Sequence, residues 1–241
     1  MTIPKNAPNG AREAPNGRGG QPLGDIETWI FDLDNTLYPL ACNLFDQVEE
    51  RMAAFIMAEL AIDYDEAHRM RREFFHRHGT TLRGLMLDHD IEPTRFLEYV
   101  HEIDLSGIPA DPALVAAINR LPGRKLVFTN ATRRHAERVM ERIGLNGEIE
   151  AIHDIVASAY RPKPDPTAYD ALTRRHGFSP KTALFVEDMA RNLEPAAALG
   201  MTTAWVKSPL DWARLGADQP YVHYAIDDLA AWLSAVEGPR K

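Results

Sequence analysis

The sequence is poor in cysteine and has no long apolar run. Its 241 residues include one cysteine, Cys42, so no disulfide can form within the chain. No apolar stretch approaches the ~20 residues that a helix needs to cross a bilayer, and residues 1–24 lack the apolar core of a signal peptide. These absences predict a cytoplasmic protein that does not enter a membrane.

Positive charge is also in deficit. The chain has 27 Lys and Arg residues against 35 Asp and Glu residues, which gives a net charge of −8 at pH 7. Such an acidic chain is poorly suited to general binding of nucleic acid or anionic membranes. A local positive pocket for one small anion remains compatible with this balance.

Residues 1–24 contain too few apolar groups to offset the entropy lost on folding. They are rich in Pro, Gly, Asn and Arg, and the tetrapeptide Ala-Pro-Asn-Gly occurs twice, at 7–10 and 14–17. This composition predicts a disordered N-terminal tail. An arm that binds a partner is the alternative interpretation.

The rest of the sequence alternates between strand and helix patterns. Hydrophobic residues make up 45% of the chain, which is enough for one core and a smaller satellite domain. The alternation predicts an α/β fold with a doubly wound, mainly parallel sheet. The predicted strands cover 28–31, 125–128, 152–156, 183–186 and 203–206, and the predicted helices cover 111–121, 133–143, 166–176, 192–199 and 226–236.

Residues 40–109 contain no convincing strand. Apolar residues fall at helical spacing from Leu44 to Leu60, and Asp63 is suited to capping a second helix that runs to about His78. Shorter helices are expected at 82–87 and 94–102. The pattern predicts a small all-helical cap inserted into a core made of 25–39 and 110–241.

Three of the predicted strands end in pairs of polar side chains. Ligands of open α/β sheets bind beyond the carboxyl ends of the strands, and parallel strands place these ends at one edge. The three pairs are therefore expected to converge. They are Asp32 with Asp34, Thr129 with Asn130, and Glu187 with Asp188.

Carboxylates gathered at one point repel one another unless a cation holds them. Oxygen ligands suit a hard ion, and Mg²⁺ commonly pairs one or two carboxylates with waters and substrate phosphate. Lys163 lies in a loop stiffened by Pro162, Pro164 and Pro166, so its ammonium is expected to point in a fixed direction. A cation, an ammonium and the donors of the second pair predict a pocket for a phosphoryl group.

These motifs resemble those of the haloacid dehalogenase-like (HAD) hydrolases. The stretch from Asp32 to Thr36, then Thr129, Lys163 and the pair Glu187-Asp188, stand in the order and spacing of that family. The resemblance covers about residues 26–230 and implies a HAD-like core with a C1-type cap. It also implies a Mg²⁺-dependent phosphatase rather than a dehalogenase, because dehalogenases of this group lack an acid at the position of Asp34.

The resemblance further implies a role for each motif residue. Asp32 attacks phosphorus and becomes an aspartyl phosphate, while Asp34 protonates the leaving alcohol and then activates water. The phosphoryl oxygens are held by Thr129, Lys163 and Asn130. The implied Mg²⁺ ligands are Asp32, the backbone carbonyl of Asp34, Glu187 and Asp188, with Asn192 as a supporting residue.

A narrower resemblance points to the pyrimidine 5′-nucleotidase branch. The stretch from Asp34 to Tyr38 and the Gly-Thr-Thr-Leu-Arg-Gly loop at 79–84 are similar to that branch. The implied substrate is a nucleoside 5′-monophosphate. Candidate substrate-binding residues are Asn130, Tyr38, Thr80, Thr81 and Arg83. The two glycines of the 79–84 loop are expected to let the backbone approach the ligand.

Several alternatives remain open at this point. The enzymatic alternatives are a phosphatase of sugar phosphates or phosphoglycolate and a phosphomutase. The non-enzymatic alternative is an inactive binding protein that keeps the fold. A monomer or a homodimer is expected. Tyr38 either lines the pocket or packs against the cap. The residues expected to be solvated at the surface are Arg133, Arg134 and His135, together with His68, His76, His78, His89 and His101.

Overall fold

The computed structural model describes residues 11–13, 23–145 and 147–236. Its strands are β1 (Ala11–Glu13), β2 (Thr28–Phe31), β3 (Arg124–Phe128), β4 (Ala151–His153), β5 (Ala183–Glu187), β6 (Thr202–Val206) and β7 (Tyr224–Ile226). They form one seven-stranded sheet in the order β1-β7-β6-β5-β2-β3-β4. Every neighbouring pair is parallel except β1 and β7. The predicted α/β class with a mainly parallel sheet is confirmed.

Strand β2 lies in the middle of the sheet. Its residues Thr28–Phe31 are all buried, as expected for a β-branched and aromatic run. Phe31 is in register with Val127 of β3 on one side and with Val186 of β5 on the other. The order of strands therefore reverses at β2, and ligands bind at such reversal points in open sheets.

Helices cover both faces of the sheet. The helices of the structure are α1 (Leu44–Leu60), α2 (Tyr64–His78), α3 (Thr81–His89), α4 (Pro93–Val100), α5 (Pro112–Arg120), α6 (Arg133–Ile143), α7 (Pro166–His176), α8 (Leu193–Ala198), α9 (Asp211–Arg214) and α10 (Leu229–Ser234). Trp29 of β2 packs in the apolar cluster that contains α5, α6 and α10, whereas Ile30 packs in the cluster that contains α7 and α8.

Residues 40–109, all of which the structure describes, contain helices α1 to α4 and no strand. We call this segment the cap. Phe55 of α1 meets Phe96 of α4 edge to face, with ring centroids 5.1 Å apart. The buried apolar side chains of the cap are continuous with those of the core, so the two parts share one apolar cluster.

The structure differs from the sequence-based expectation in two places, namely the segment near the C-terminus and the end of strand β4. A helix was expected to begin at Ile226, but Tyr224–Ile226 forms β7 beside β6 and the helix begins at Leu229. Pairing with a neighbouring strand outweighs local helical propensity here. Strand β4 stops at His153, because the Asp154 carboxylate accepts the backbone N–H of Ala157 and turns the chain.

The disordered tail expected at residues 1–24 stays a prediction. Of this segment the structure describes Ala11–Glu13, which pairs antiparallel with the edge of β7, and residues 23–24, which belong to a 3₁₀ turn at 23–25. The rest of the predicted tail, at 1–10 and 14–22, lies outside the described residues.

Within the described parts of the chain, no helix is both long enough and apolar enough to span a bilayer.

Candidate active site

The predicted site residues meet at the carboxyl edge of the sheet. A cavity of about 420 Å³ lies between this edge and the cap. Its lining includes residues that follow β2, β3 and β5 and the loop before α7, namely Asp32, Asp34, Tyr38, Thr129, Asn130, Lys163, Glu187, Asp188 and Asn192. The convergence expected from the parallel topology is therefore present in the structure.

Lys163 is the most constrained side chain of the site. It is 2% exposed, and its ammonium donates to Asp32 Oδ1 at 2.6 Å, to Glu187 Oε2 at 2.7 Å and to the Phe128 carbonyl at 3.0 Å. These contacts use all three ammonium donors. Burial acts to lower the pKa of Lys163, but the two carboxylates outweigh it and raise that pKa above its usual value.

Asn130 holds the backbone on which Lys163 sits. Its Oδ1 accepts the Lys163 N–H at 2.8 Å, and its Nδ2 donates to the Lys163 carbonyl at 3.4 Å. Both polar atoms of the amide are therefore committed to the loop. Asn130 lines the cavity, but its hydrogen bonds position Lys163 rather than a ligand.

Asp32 is placed directly beyond β2, with its N–H donating to the Val186 carbonyl at 2.9 Å. One carboxylate oxygen accepts from Lys163 and the other from the Thr36 hydroxyl at 3.1 Å. Burial raises the pKa of Asp32 to about 7, and the Glu187 carboxylate adds to this effect against the opposing charge of Lys163. Asp32 is thus a buried carboxyl whose ionisation depends on nearby positive charge.

Thr129 is buried at the end of β3. Its hydroxyl oxygen accepts the Ala131 N–H at 2.9 Å, and its own N–H donates to the His153 carbonyl at 3.0 Å. The hydroxyl hydrogen can therefore be donated into the cavity that Thr129 lines. This arrangement suits a neutral donor to a phosphoryl oxygen.

An acidic cluster lies beside Lys163. Asp32, Glu187 and Asp188 are all buried, and one oxygen of each lies within 4.8 Å of the others. Asp188 Oδ2 and Asn192 Oδ1 are buried with no hydrogen-bond partner among the described residues. Burial and the neighbouring Glu187 raise the pKa of Asp188 well above its usual range.

This donor set fits a small divalent cation. All of its members are oxygens, which suit a hard ion, and the two unpartnered oxygens of Asp188 and Asn192 are buried atoms that need a positive partner. Glu187 fits less directly, because its oxygens already accept from Lys163 and from the Met189 N–H. Its clear contribution is to hold the ammonium of Lys163.

Asp34 lies at the cap side of the site with 27% of its side chain exposed. Its Oδ1 accepts from the Tyr38 hydroxyl at 2.7 Å and contacts His135 Nε2 at 3.1 Å. Burial acts to raise the pKa of Asp34, but His135, through its charge and hydrogen bond, and Tyr38 lower it to about 2. Tyr38 therefore orients Asp34 as well as lining the cavity.

The surface position expected for His135 is wrong. His135 is 2% exposed, and its ring stacks on His101 of the cap with centroids 4.6 Å apart. Burial and the charge of His135 lower the pKa of His101 to about 3. The signal in the sequence was position: His135 lies in the first turn of the helix that follows β3, so it faces the edge where β3 ends.

The cap residues singled out from the sequence separate into two groups. Thr80 and Thr81 line the cavity, and Thr80 also caps α3 by accepting the Arg83 N–H. Arg83 is not among the described residues that line the cavity; its charge lies near Asp165 and helps to lower the pKa of that carboxyl.

The glycines of the 79–84 loop serve the fold. Gly79 ends α2 with φ of +84°, a conformation that favours glycine. A methyl group on Gly84 would lie within 2.6 Å of Phe74 Cβ, so Gly84 allows α3 to pack closely on α2. The expectation that both glycines bring backbone to a ligand is wrong for Gly84, which meets a buried side chain.

Comparison with known proteins agrees with these observations. A family model described as haloacid dehalogenase-like hydrolase matches residues 26–200. Phosphate metabolism protein 8 of Saccharomyces cerevisiae is 26% identical over 193 residues, which are 73% of this chain and 60% of the yeast protein. N-acetylmuramic acid 6-phosphate phosphatase of Pseudomonas aeruginosa is 33% identical over 130 residues, which are 52% of this chain and 57% of that protein. The chain thus spans less than two thirds of either relative.

Solved structures share the fold at low sequence identity. CbbY of Rhodobacter sphaeroides, in complex with xylulose 1,5-bisphosphate, superposes with a TM-score of 0.61 at 18% identity over 88% of this chain and 97% of that chain. A haloacid dehalogenase-like family hydrolase of Xanthomonas campestris superposes with a TM-score of 0.54 at 18% identity over 88% and 91%.

The family match covers the region that carries all four motifs. Residues 26–200 include β2 to β5, the cap, Lys163 and the acidic pair that follows β5. The resemblance found in the sequence is therefore confirmed at the level of the family. The chain belongs to the haloacid dehalogenase-like hydrolases.

Proposed function

We propose that the protein is a Mg²⁺-dependent phosphomonoesterase that works through an aspartyl phosphate. The observation that carries this proposal is the buried ammonium of Lys163, held between Asp32 and Glu187 at 2.6 and 2.7 Å beside a cavity. A fixed buried cation next to a nucleophilic carboxylate suits the binding of a phosphoryl group. The proposed substrate is a nucleoside 5′-monophosphate, with pyrimidine bases preferred.

In the first step, a carboxylate oxygen of Asp32 forms a bond to phosphorus. The bond from phosphorus to the ester oxygen breaks, and its electron pair goes to that oxygen, which takes a proton from Asp34. During this transfer the Thr129 hydroxyl donates to a phosphoryl oxygen, and the ammonium of Lys163, held by Asp32 and Glu187, offsets the phosphoryl charge. The products of the step are the alcohol and an acyl phosphate on Asp32.

Asp34 must carry a proton for this step, although its pKa is about 2 in the free protein. A dianionic phosphoryl group bound beside it raises the pKa, because like charges disfavour the ionised form. In the second step the ionised Asp34 accepts a proton from water. The resulting hydroxide bonds to phosphorus, the bond to Asp32 breaks with its electron pair returning to the carboxylate, and phosphate leaves.

The residues suited to hold Mg²⁺ are Asp32, Asp188, the backbone carbonyl of Asp34, and Asn192 in support. When bound, Mg²⁺ supplies charge that offsets the carboxylates and polarises a phosphoryl oxygen. The backbone of this region is fixed by the Trp205 Nε1–H, which donates to the Asp188 carbonyl at 2.6 Å.

The nucleotide proposal is supported by the cavity and the loop at 79–84. A volume of about 420 Å³ is in the range of small-molecule sites. Thr80 and Thr81 line it on the cap side. The Thr80 hydroxyl accepts the Arg83 N–H and can donate its hydrogen to a sugar or base. The Thr81 hydroxyl donates instead to the Arg71 carbonyl at 3.4 Å. A sugar-phosphate phosphatase is the second candidate, favoured by the relative that is named as an N-acetylmuramic acid 6-phosphate phosphatase.

A panel of phosphate esters assayed with and without Mg²⁺ tests the proposal. The panel comprises UMP, CMP, their deoxy forms, AMP, N-acetylmuramic acid 6-phosphate and phosphoglycolate, with phosphate release as the readout and Asp32→Asn as the control. We expect Mg²⁺-dependent release, fastest from UMP or CMP, and none from the variant. Faster release from the sugar phosphate selects the second candidate. No release from any ester, or normal release by Asp32→Asn, contradicts the phosphatase proposal.

A further inference from the structure

A fourth strand end contributes to the cavity, through a residue to which the catalytic steps assign no role. The chain leaves β6 at Val206 and reaches the short helix α9, which carries Trp212. Trp212 lines the same cavity as Asp32 and Lys163. Because β6 is parallel to β5, its carboxyl end lies at the edge of the sheet that holds the catalytic groups.

Trp212 meets two aromatic rings of the cap. Its ring centroid lies 6.2 Å from that of Phe45 in α1 and 6.0 Å from that of Phe75 in α2. Both phenylalanines line the cavity, and all three rings are only half-buried. We call these three residues the aromatic wall. It is built from the core and the cap together.

Arg191 supports the aromatic wall from the core. Its guanidinium lies 4.7 Å from the ring centroid of Phe75, at a distance typical of a cation–π contact. Two of its nitrogens, Nε and Nη2, are buried without a hydrogen-bond partner among the described residues. The guanidinium is thus placed by the ring of Phe75 and by the charge of Glu187, and the contact with the ring limits the positions open to Phe75.

The chemistry of the cavity thus differs between two parts of its lining. One part carries the charged groups of Asp32, Lys163 and Asp188, and another carries exposed aromatic carbon of the aromatic wall. Stacking of a planar ring on a half-buried aromatic face is favourable, and it tolerates any base. A hydroxylated chain or a small acid offers no flat apolar face to cover them.

We propose that the aromatic wall binds the planar base of the leaving group while the phosphoryl group lies at Asp32. This assignment rests on the proposed phosphatase function, and it makes Trp212 a specificity-determining residue outside the four motifs. Because Trp212 belongs to the core and Phe45 and Phe75 belong to the cap, a base bound across them ties the two parts together. The proposed result is selection of phosphate esters that carry a planar aromatic ring.

Kinetics of two variants test this inference. Trp212→Ala removes the ring, and Trp212→Phe is the matched control that keeps an aromatic face. We expect Trp212→Ala to lower kcat/KM by about tenfold or more for UMP and for p-nitrophenyl phosphate, as stacking energies imply. For phosphoglycolate we expect kcat/KM within about threefold of the wild type, and Trp212→Phe to stay within about threefold for all three esters.

Equal losses for esters with and without a planar aromatic ring would overturn the inference, since they would mean that Trp212 only holds the cap in place. The same holds if Trp212→Ala leaves the hydrolysis of UMP unchanged. The result that supports the inference is therefore a loss confined to esters with a planar aromatic ring.

Fluorescence separates a failure of this inference from a failure of the proposed function. Trp212 is the half-buried tryptophan, whereas Trp29, Trp205 and Trp232 are 0%, 7% and 2% exposed. In Asp32→Asn, which binds without turnover, we expect UMP to quench the emission, ribose 5-phosphate to leave it unchanged, and Trp212→Phe to abolish the quench. Equal quenching by both ligands, or none by UMP, contradicts the aromatic wall. Lack of turnover of every ester by the wild type contradicts only the phosphatase proposal.

Discussion

His135 Nε2 lies 3.1 Å from Asp34 Oδ1, so a histidine of α6 and the second carboxylate of the first motif form one unit. His135 is 2% exposed and stacks on His101, which keeps its ring in place. The contact, together with that from Tyr38, lowers the pKa of Asp34 to about 2 against the effect of burial. Asp34 is therefore ionised at neutral pH, which is the state that the proposed second step requires.

Replacing His135 by glutamine tests this unit. Glutamine can still donate a hydrogen bond but carries no charge, so the pKa of Asp34 rises. The second step needs ionised Asp34, and the acid limb of the kcat profile should therefore move to higher pH. The measurement is kcat against pH at saturating substrate and Mg²⁺.

His153→Gln is the matched control for this experiment. His153 is also buried, with its Nδ1 3.3 Å from His176 Nε2, and is not among the described residues that line the cavity. We expect its acid limb to stay at the wild-type pH. An unchanged limb in His135→Gln would show that the histidine does not tune Asp34.

The pKa of Asp32, raised to about 7 by burial, predicts how stability varies with pH. Between about pH 4 and pH 7 the folded protein keeps a proton on Asp32 that the unfolded chain has lost. The free energy of unfolding of the metal-free protein should therefore fall as pH rises through this window and level off above it. Urea denaturation at several pH values, in the presence of a chelator, measures the effect.

Asp32→Asn removes the ionisable group and should flatten this dependence. Adding Mg²⁺ to the wild type should restore stability most at the upper end of the window, since a cation favours the carboxylate. The raised pKa of Asp32 would be refuted if the stability of the metal-free wild type rose between pH 4 and pH 7 as much as that of the variant.

Lys163→Met should cost far more stability than the same change at the surface. The variant leaves the carboxylates of Asp32 and Glu187 buried without their counter-ion, which typically costs about 3–5 kcal/mol. The matched control is Lys207→Met, because Lys207 is 41% exposed and pairs with Asp227 at 2.9 Å. Exposed pairs contribute about 0–1 kcal/mol. Similar midpoints of urea unfolding for the two variants would contradict the buried ion pairs of Lys163 with Asp32 and Glu187.

Gly84→Ala should destabilise the cap by about 1–3 kcal/mol, the usual range for overpacking. The added methyl group would lie within 2.6 Å of Phe74 Cβ, so α3 must shift away from α2. Gly24→Ala is the control, since among the described residues no heavy atom beyond its own chain neighbours lies within 4 Å of the added methyl group. Thermal unfolding checks both. A large loss of activity in Gly84→Ala at wild-type stability would instead indicate that the backbone of Gly84 approaches a ligand.

The sequence predicted the parts of the site that are written in local patterns. Asp32 and Thr129 directly follow strands β2 and β3, and Glu187 is the last residue of β5, so strand prediction and parallel topology together placed them at one edge. Lys163 followed from the order of the family motifs, and the stiff loop around it agrees with its fixed geometry. Such features need only short stretches of chain.

What the sequence did not predict depends on contacts between distant segments. In the sequence, His135 is one of several polar residues at the start of a helix. Its burial depends on the docking of the cap, which stacks His101 on its ring. Arg83 belongs to a sequence that resembles a substrate loop, but the structure places it in the first turn of α3, so the direction of its side chain depends on how α3 packs. Strand β7 is three residues long, and pairing with β6 and β1 decides its conformation.

The contact between Lys163 and Asp32 joins residues 131 positions apart in the chain. During synthesis on the ribosome, the first motif therefore emerges long before its counter-charge, and Glu187 emerges later still. Until Lys163 has been synthesised, the Asp32 carboxylate has only the nearby Thr36 hydroxyl as a partner, and until β5 has docked beside β2 the acidic cluster is incomplete. Under the proposed function, turnover would therefore report completion of the central sheet, and a chain that ends upstream of Asp188 would lack part of the proposed cation site.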